Sequence, residues 1–224
     1  MLDKEYKKRM INKSYAVFGL GRYGRAVAKE LIDSGAEVIA VDSNERIVED
    51  LVGEFPICKC ADITDKEVIK QLGISNVDVV IIALAGEIEA SVMSTMLCKE
   101  LGVGQVIVKC SSEMHRAILE KIGADVVVFP EKDSGIRLAK NLLSSGFVDI
   151  ADISEDVSII ELNARTEWIG KSLRELELRR KYSINVIALT RNGNVKIAVQ
   201  PDTIIEGGMK MIVIANKKEI NKLK

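Results

Sequence analysis

The stretch from Tyr15 to Asp42 constrains the fold more than any other part of the chain. A short β-rich run, Tyr15-Ala-Val-Phe18, is interrupted by Gly19, Gly21 and Gly24, and a helical run then extends to Ser34-Gly35. Strand periodicity that turns into helix periodicity across three glycines predicts a tight strand-to-helix turn. Gly19 permits the turn, Gly21 removes the Cβ that would stand between backbone and pyrophosphate, and Gly24 lets the helix lie close on the strand. The free N–H groups and the positive end of that helix then face the phosphates. A second buried strand, Val38 to Val41, ends at Asp42. An acid about 20 residues beyond such glycines accepts hydrogen bonds from the ribose hydroxyls of a bound nucleotide. Strand, glycines, helix, strand and acid in this order specify a Rossmann-type nucleotide site. Asp42 argues against a 2′-phosphorylated cofactor, whose charge it would repel. It leaves NAD(H) and an adenine nucleotide such as ATP or ADP both open, because each presents a ribose diol.

The 224 residues, 47% of them hydrophobic, suffice for one large domain and a small one. With 32 basic against 33 acidic groups, no global field draws the chain to nucleic acid or membrane. The longest strictly apolar run, Val79 to Ala85, falls well short of the ~20 residues a bilayer span takes. The charged N-terminus lacks the apolar core of a signal peptide, so a cytosolic protein is expected. Cys58 and Cys60 point to one face of a strand, which raises a metal or redox reading. Metal sites favour wider Cys-x-x-Cys spacing, and the chain has one histidine, so all four cysteines, including Cys98 and Cys110, read as buried reduced thiols.

Residues 1–13 carry five basic and two acidic groups before any strand begins, and read either as a solvated tail or as an arm that touches a partner. After Asp42, Ser43 or Asn44 caps a helix through Val52, and Pro56 to Cys60 forms a third strand. The next loop contains Asp62 and Thr64, at the same sheet edge as the glycines. These two either touch base or ribose or cap the helix from Lys66 to Leu72. Val77 to Leu84 is an almost wholly apolar fourth strand, as expected when both faces are covered. A helix (Ile88 to Leu101), a strand (Gln105 to Val108), a helix (Glu113 to Ile122) and a strand (Asp125 to Phe129) follow, so strand and helix alternate through a parallel sheet. Pro130 breaks this alternation, and Lys132 to Ser145 makes one more amphipathic helix, a connector or a dimer surface.

From Asp149 the grammar changes to short alternating strands: Ser158 to Leu162, Val186 to Leu189, Val195 to Val199 and Met211 to Ile214. Asn192-Gly193 between two such runs predicts a hairpin, and Leu173 to Tyr182 reads as one charged helix. The expected fold is therefore α/β. A doubly wound parallel sheet with its following helix occupies residues 14–146, and a small α+β domain, suited to pairing with a second copy, occupies 147–224.

Four motifs carry a resemblance: Val17-Phe-Gly-Leu-Gly-Arg22-Tyr23-Gly24, Val38-Ile-Ala-Val-Asp42, Leu119-Glu-Lys-Ile-Gly-Ala-Asp125, and Pro130-Glu131-Lys132-Asp133, followed by the small β-rich tail. Together they resemble the regulatory subunits of Ktr/Trk-type potassium uptake systems, whose RCK domains regulate conductance of potassium. The resemblance runs from about Ser14 to the C-terminus. It implies homodimers assembled into a cytosolic ring, an octamer, beneath an integral membrane potassium channel subunit of the KtrB or TrkH kind. Nucleotide binding changes the shape of the ring and moves the gate. ATP or ADP, in some members NAD(H), would occupy the site of Gly19, Gly21, Tyr23 and Gly24, with Asp42 on the ribose. Arg22 matches the arginine that reaches phosphate across the dimer. Lys109, after the fifth strand, and Glu131 match positions near the nucleotide, and Glu131 would help hold Mg2+ or Ca2+ between neighbouring nucleotides. In the small domain, Arg179 and Asn185-Val186-Ile187 fit a pattern for cyclic di-AMP. Leu173 fits half of its apolar pair, Arg174 replaces the other half, and Glu177 stands where Asp or Asn is usual.

Two other functions remain to be weighed. An NAD(H)-dependent oxidoreductase needs a proton donor in the cleft, and His115, on a charged helix, reads as exposed rather than catalytic. A redox-sensing transcription regulator needs a basic recognition helix, and none is present, so no nucleic-acid partner is expected.

Overall fold

A computed structural model describes residues 13–84, 86–143, 147–154, 156–197, 199–216 and 218–219, so the expected N-terminal tail lies outside the described residues but for Lys13. Contacts divide the chain into two units after Pro130.

The first unit begins with β1 (Ser14–Phe18), α1 (Arg22–Asp33), β2 (Glu37–Asp42), α2 (Glu45–Leu51), β3 (Cys58–Cys60) and α3 (Lys66–Gln71). β4 (Val79–Ile82), α4 (Ile88–Glu100), β5 (Gln105–Lys109), α5 (Glu113–Lys121) and β6 (Val126–Val128) complete it. The six strands are all parallel, in the order β3-β2-β1-β4-β5-β6. This is the doubly wound order, in which the crossovers reverse direction between β1 and β4 and open a crevice at the strands' C-terminal ends. Strand alternation explains why both faces are dry. Ala16 and Phe18 join Val80, Ile82, Ile69, Cys98 and Leu119 in one core, while Tyr15 and Val17 join Ala40, Val79, Ala28 and Leu51 in the other.

Local chemistry sets the helix ends. Asn44 caps α2 by accepting from the Arg46 N–H, and Asp65 caps α3 by accepting from the Glu67 N–H at 2.8 Å. The α3 cap is therefore Asp65, and neither Asp62 nor Thr64 performs it. α1 closes at Ser34, and Gly35 (φ +86°) takes the left-handed conformation that ends the turn.

α6 (Pro130–Leu143) begins at the proline itself rather than after it. Proline suits the first helical position, where its missing N–H has no partner to lose. Ile136, Leu138 and Leu142 are exposed along this helix.

The second unit is an antiparallel sheet in the order β10-β9-β11-β8-β7. Its strands are β7 (Phe147–Asp152), β8 (Val157–Asn163), β9 (Asn185–Arg191), β10 (Asn194–Ile197) and β11 (Lys210–Asn216). β7 was not expected, because Asp149 and Asp152 interrupt its apolar pattern and its pairing register with β8 shifts between Asp149 and Ala151. Asn192 (φ +50°) and Gly193 (φ +81°) make the predicted β9–β10 hairpin. Ile160, Leu162, Trp168, Ile184, Ile205, Met211 and Val213 build the core.

The single charged helix expected over Leu173–Tyr182 is two short ones, α7 (Leu173–Leu176) and α8 (Leu178–Tyr182), broken at Glu177 with φ +47°. Leu176 and Leu178 are both buried. Two residues apart, they would face nearly opposite ways on one continuous helix, so burying both requires the break.

Candidate nucleotide site

At the end of β1 the three glycines answer to different constraints. Gly19 has φ +86°, and a Cβ there would lie 2.9 Å from Leu84 Cδ2 and 3.1 Å from the Ala83 carbonyl carbon. A Cβ on Gly24 would stand 1.9 Å from the Gly19 carbonyl oxygen. Both are required by the protein's own packing. Gly21 is different: its backbone is extended, and a Cβ would meet nothing within 4 Å. The chain itself thus gives no reason for a glycine at this position, and the open space before it is where a pyrophosphate would lie. Gly21 is also the N-cap of α1 and supplies no side-chain acceptor, and the first turn carries no acid. The free N–H groups there suit an anion.

Asp42 sits opposite. Its Oδ2 accepts from the Leu20 N–H at 2.6 Å and its Oδ1 from the Asn44 N–H at 2.8 Å, while the Gly19 N–H donates to the Val41 carbonyl at 2.8 Å. One carboxylate therefore pins the glycine loop to the end of β2 and keeps lone pairs for a ribose diol. The cleft beside it, about 320 Å³, is lined by Gly19, Asp42, Ser43, Asp62, Thr64 and Glu87 among others. Asp62 Oδ1 accepts from the Thr64 hydroxyl at 2.7 Å and its N–H at 2.9 Å, and these bonds hold the Asp62 carboxyl below the usual carboxylate range. Sequence reasoning missed Ser43, Leu84, Glu87 and Ala90. The crevice between β1 and β4 would have pointed to the last three, which belong to the segment after β4.

The remaining expected residues are spread more widely. Arg22 opens α1, exposed, and among the described residues its guanidinium meets no carboxylate. Arg25, one turn on, is paired with Glu54 at 3.2 Å. Lys109 is only 8% exposed, and its ammonium lies 5.8 Å from the centre of the Tyr23 ring, a cation–π distance. Neither Arg22, Tyr23 nor Lys109 lines the cleft of Asp42. Glu131 lies in the first turn of α6, in the second unit.

His115 corrects the expectation of an exposed side chain: it is 2% exposed. Ser112 caps α5 by accepting from the His115 N–H, and the ring is buried with Nδ1 3.3 Å from the Ser111 nitrogen and hydroxyl and with Nε2 lacking a hydrogen-bond partner among the described residues. Burial lowers its pKa and favours the neutral ring. The cysteines divide. Cys98 and Cys110 are buried, and burial pushes the Cys98 thiol up to about 12. Cys60 is exposed and Cys58 half-buried, against expectation, because β3 is an edge strand whose outer side is uncovered.

The second unit has a cleft of about 410 Å³ that brings together Leu173, Arg174, Glu177, Arg179, Asn185 and Val186, with Pro201 on its wall. Ile187 is not part of its lining.

The TrkA-N domain family matches residues 15–130, and the TrkA-C domain family residues 157–224. The chain belongs to the TrkA-N/TrkA-C family. It is 36% identical over 212 residues to the Ktr system potassium uptake protein C of Bacillus subtilis (strain 168), covering 95% of this chain and 96% of that protein. Identity to the Ktr system potassium uptake protein A of Vibrio alginolyticus is 35% over 214 residues, covering 95% and 97%. Among solved structures, a GsuK channel bound to NAD superposes with a TM-score of 0.67 at 17% identity, over 98% of this chain and 42% of that one. That likeness is one of fold, and a TrkA-N/TrkA-C chain of this size spans less than half of such a channel subunit.

Proposed function

We propose that the chain is a cytosolic, nucleotide-sensing regulatory subunit that gates a membrane potassium channel or transporter. One observation carries the nucleotide reading: the uncapped, acid-free N-terminus of α1 opens, through a Gly21 that packing does not require, onto a crevice whose carboxylate is already oriented. Ktr potassium uptake proteins that match almost end to end supply the physiological setting. On this reading ATP or ADP, or NAD(H), lies with its ribose on Asp42, its base by Asp62 and its phosphates over Gly21, with Arg22, Tyr23 and Lys109 toward the phosphate end. No described helix is long and apolar enough to cross a membrane, which fits a peripheral position at the inner face through a channel partner. The exposed apolar side chains of α6 would be covered by a second copy, as the first step toward an octameric ring.

A divalent cation fits only as a shared ion. Among the described residues no three His, Cys, Asp or Glu side chains cluster for a metal. Mg2+ is commonly held by one or two carboxylates plus phosphate oxygens, so Glu131 would complete a set the nucleotide mostly provides. In the second unit, cyclic di-AMP is the proposed ligand of the cleft around Arg179, Asn185 and Val186, with Ile187 at its margin. An NAD(H)-dependent oxidoreductase is disfavoured, since His115 is buried and outside the lining of the cleft.

Calorimetry against ATP, ADP and NADH, with and without magnesium, paired with solution scattering, tests the proposal. Binding that depends on Asp42 and changes the shape of an oligomer is expected. A monomer whose scattering is unaltered by ATP and ADP would refute gating.

A further inference from the structure

The second unit holds another cleft, larger than the first at about 650 Å³, and none of the expected site residues lines it. Its origin is topological. β9 lies between β10 and β11 in the sheet, so the segment joining those two strands must cross β9. It crosses on the core side, where Ile205 is fully buried in one cluster with Leu189 and Met211. Between this arch and the β9–β10 hairpin lies the cleft, with Leu189, Ile204 and Met209 as apolar lining. Ile204 is 54% exposed there. The charged side chains of the lining are Arg191, Lys196, Asp202 and Glu206. Arg191 is paired with Glu206. Asp202 accepts a fork from Arg174, which reaches it from the smaller cleft, Nε to Oδ1 at 2.8 Å and Nη2 to Oδ2 at 3.3 Å. Both carboxylates are thus matched, and Lys196 is the cation left over, since it meets no carboxylate among the described residues. In the β9–β10 ladder Lys196 stands opposite the buried Leu189 and shares its face, where a strand that only packed on the core would carry an apolar residue.

We propose that this cleft binds a small amphipathic organic anion, one acid group on an apolar body, and that its occupancy is transmitted to the smaller cleft through a wall the two share. Lys196 meets the acid, and Leu189, Ile204 and Met209 take the body. An apolar concavity of this size with a few placed polar groups is the usual make-up of a small-molecule site. A polyanion is disfavoured, because its further charges would face Asp202 and Glu206, whose guanidinium partners are already engaged. The shared wall is residues 199–204. Val199 and Pro201 line the smaller cleft, whereas Gln200, Asp202, Thr203 and Ile204 line the larger. The Pro201 carbonyl accepts from the Arg174 N–H at 2.8 Å, and the Thr203 carbonyl from the Leu173 N–H at 3.1 Å. A ligand that holds Thr203 and Ile204 therefore also steadies the start of α7, and the coupling acts in both directions.

The test is hydrogen exchange by mass spectrometry on the full chain, titrated with octanoate, with its neutral isostere octanamide, and with acetate, which has the acid but no body. Octanoate should slow exchange over residues 199–204 and, at the same concentrations, over residues 173–176. Octanamide should bind about threefold to tenfold more weakly, and the difference should shrink at high salt. Acetate should protect neither segment. Lys196→Gln, at an exposed position, should weaken octanoate by about threefold to tenfold and leave octanamide unchanged. Ile204→Asn should weaken both. If octanamide protects as well as octanoate, or Lys196→Gln binds octanoate as the wild type does, the anion site is refuted. Protection spread evenly over the chain marks octanoate as a surfactant and refutes it as well. Protection of 199–204 that never reaches 173–176 refutes the transmission, and no protection of 199–204 refutes both.

Discussion

The contrast between Gly21 and Gly24 is the most demanding test of the site, because the same small substitution should act on opposite properties. In Gly24→Ala the new methyl would lie 1.9 Å from the Gly19 carbonyl oxygen, well inside contact distance, and neither group is a flexible side chain. The first turn of α1 must lift from the sheet, against the packing of Ala28, which is fully buried on it. Overpacking of this kind costs about 1–3 kcal/mol. In a unit of this size that lowers the thermal midpoint by about 3 to 15 °C. Gly21→Ala meets nothing within 4 Å and keeps an extended backbone open to any residue. The poorer N-cap, worth about half a kcal/mol, is offset by the reduced freedom of the unfolded chain, worth about as much. The unliganded midpoint should therefore move by no more than about 2 °C. The methyl instead occupies the phosphate's space. Affinity should drop by about 1–3 kcal/mol, or about fivefold to 150-fold. Thermal unfolding with and without ATP, backed by calorimetry, separates the two. If Gly21→Ala destabilises the free protein as much as Gly24→Ala, or binds ATP, ADP and NADH as the wild type does, the assignment of the open space to phosphate is wrong.

Other substitutions probe the rest of the site. Asp42→Ala leaves the Leu20 and Asn44 N–H groups without acceptors, so it should lower stability by about 1–3 kcal/mol even without nucleotide; an unchanged urea midpoint of the free protein would show that the carboxylate serves ribose alone. Arg22→Ala should weaken ATP more than nucleotides lacking a γ-phosphate, and equal loss across the series in calorimetry would count against phosphate discrimination. Glu131→Gln should reduce the dependence of binding on divalent cation, and the same magnesium titration for variant and wild type would remove Glu131 from the metal site. His115 has its pKa lowered by burial, so below pH ~6.5 the unfolded chain takes up a proton that the native ring refuses. Its contribution is complete above that pH and is lost as pH falls toward the native pKa, at up to about 1.4 kcal/mol per pH unit. His115→Leu should flatten the difference in urea stability between pH 7.5 and 5.5 relative to wild type, and an identical slope would mean that other groups produce it.

Much of the first unit was legible because its signals are local and repeated. Apolar runs such as Val79–Ile82, capped helices and three glycines each point to the same doubly wound sheet, and Asp42 stands where that sheet places an acid. The second unit was less legible where tertiary burial overrides pattern. β7 carries two aspartates and takes its identity from pairing with β8. The break at Glu177 has no glycine or proline to mark it, and only the i, i+2 spacing of two buried leucines betrays it. His115 lies among charged neighbours, and its burial is marked only by its place four residues before the buried Leu119, on the same face of α5. At the site, the motif residues could be read directly, whereas Ser43 and Glu87 enter the cleft through loop geometry that no short motif encodes.

The geometry also says where discrimination among nucleotides must arise. A ligand shifts a protein between two shapes only by binding one of them better. The adenosine end offers little such difference: Asp42, the Leu20 N–H and the Asp62–Thr64 turn are already hydrogen-bonded in place, and they would treat ATP, ADP and NAD(H) alike. Binding there supplies affinity without selectivity. The groups not yet committed lie at the other end, in the uncapped first turn of α1 and in the exposed guanidinium of Arg22, which meets no carboxylate among the described residues. A charge-assisted contact from such a group to one added phosphate contributes about 1.5–3 kcal/mol, roughly tenfold or more in relative population. On the proposed function, then, the ribose acid decides that a nucleotide is bound, and the phosphate tail decides which shape it favours. A binding series in which affinity tracks the adenosine while oligomer shape tracks tail charge would bear this out, and shape changes of equal size for ATP, ADP and AMP would contradict it.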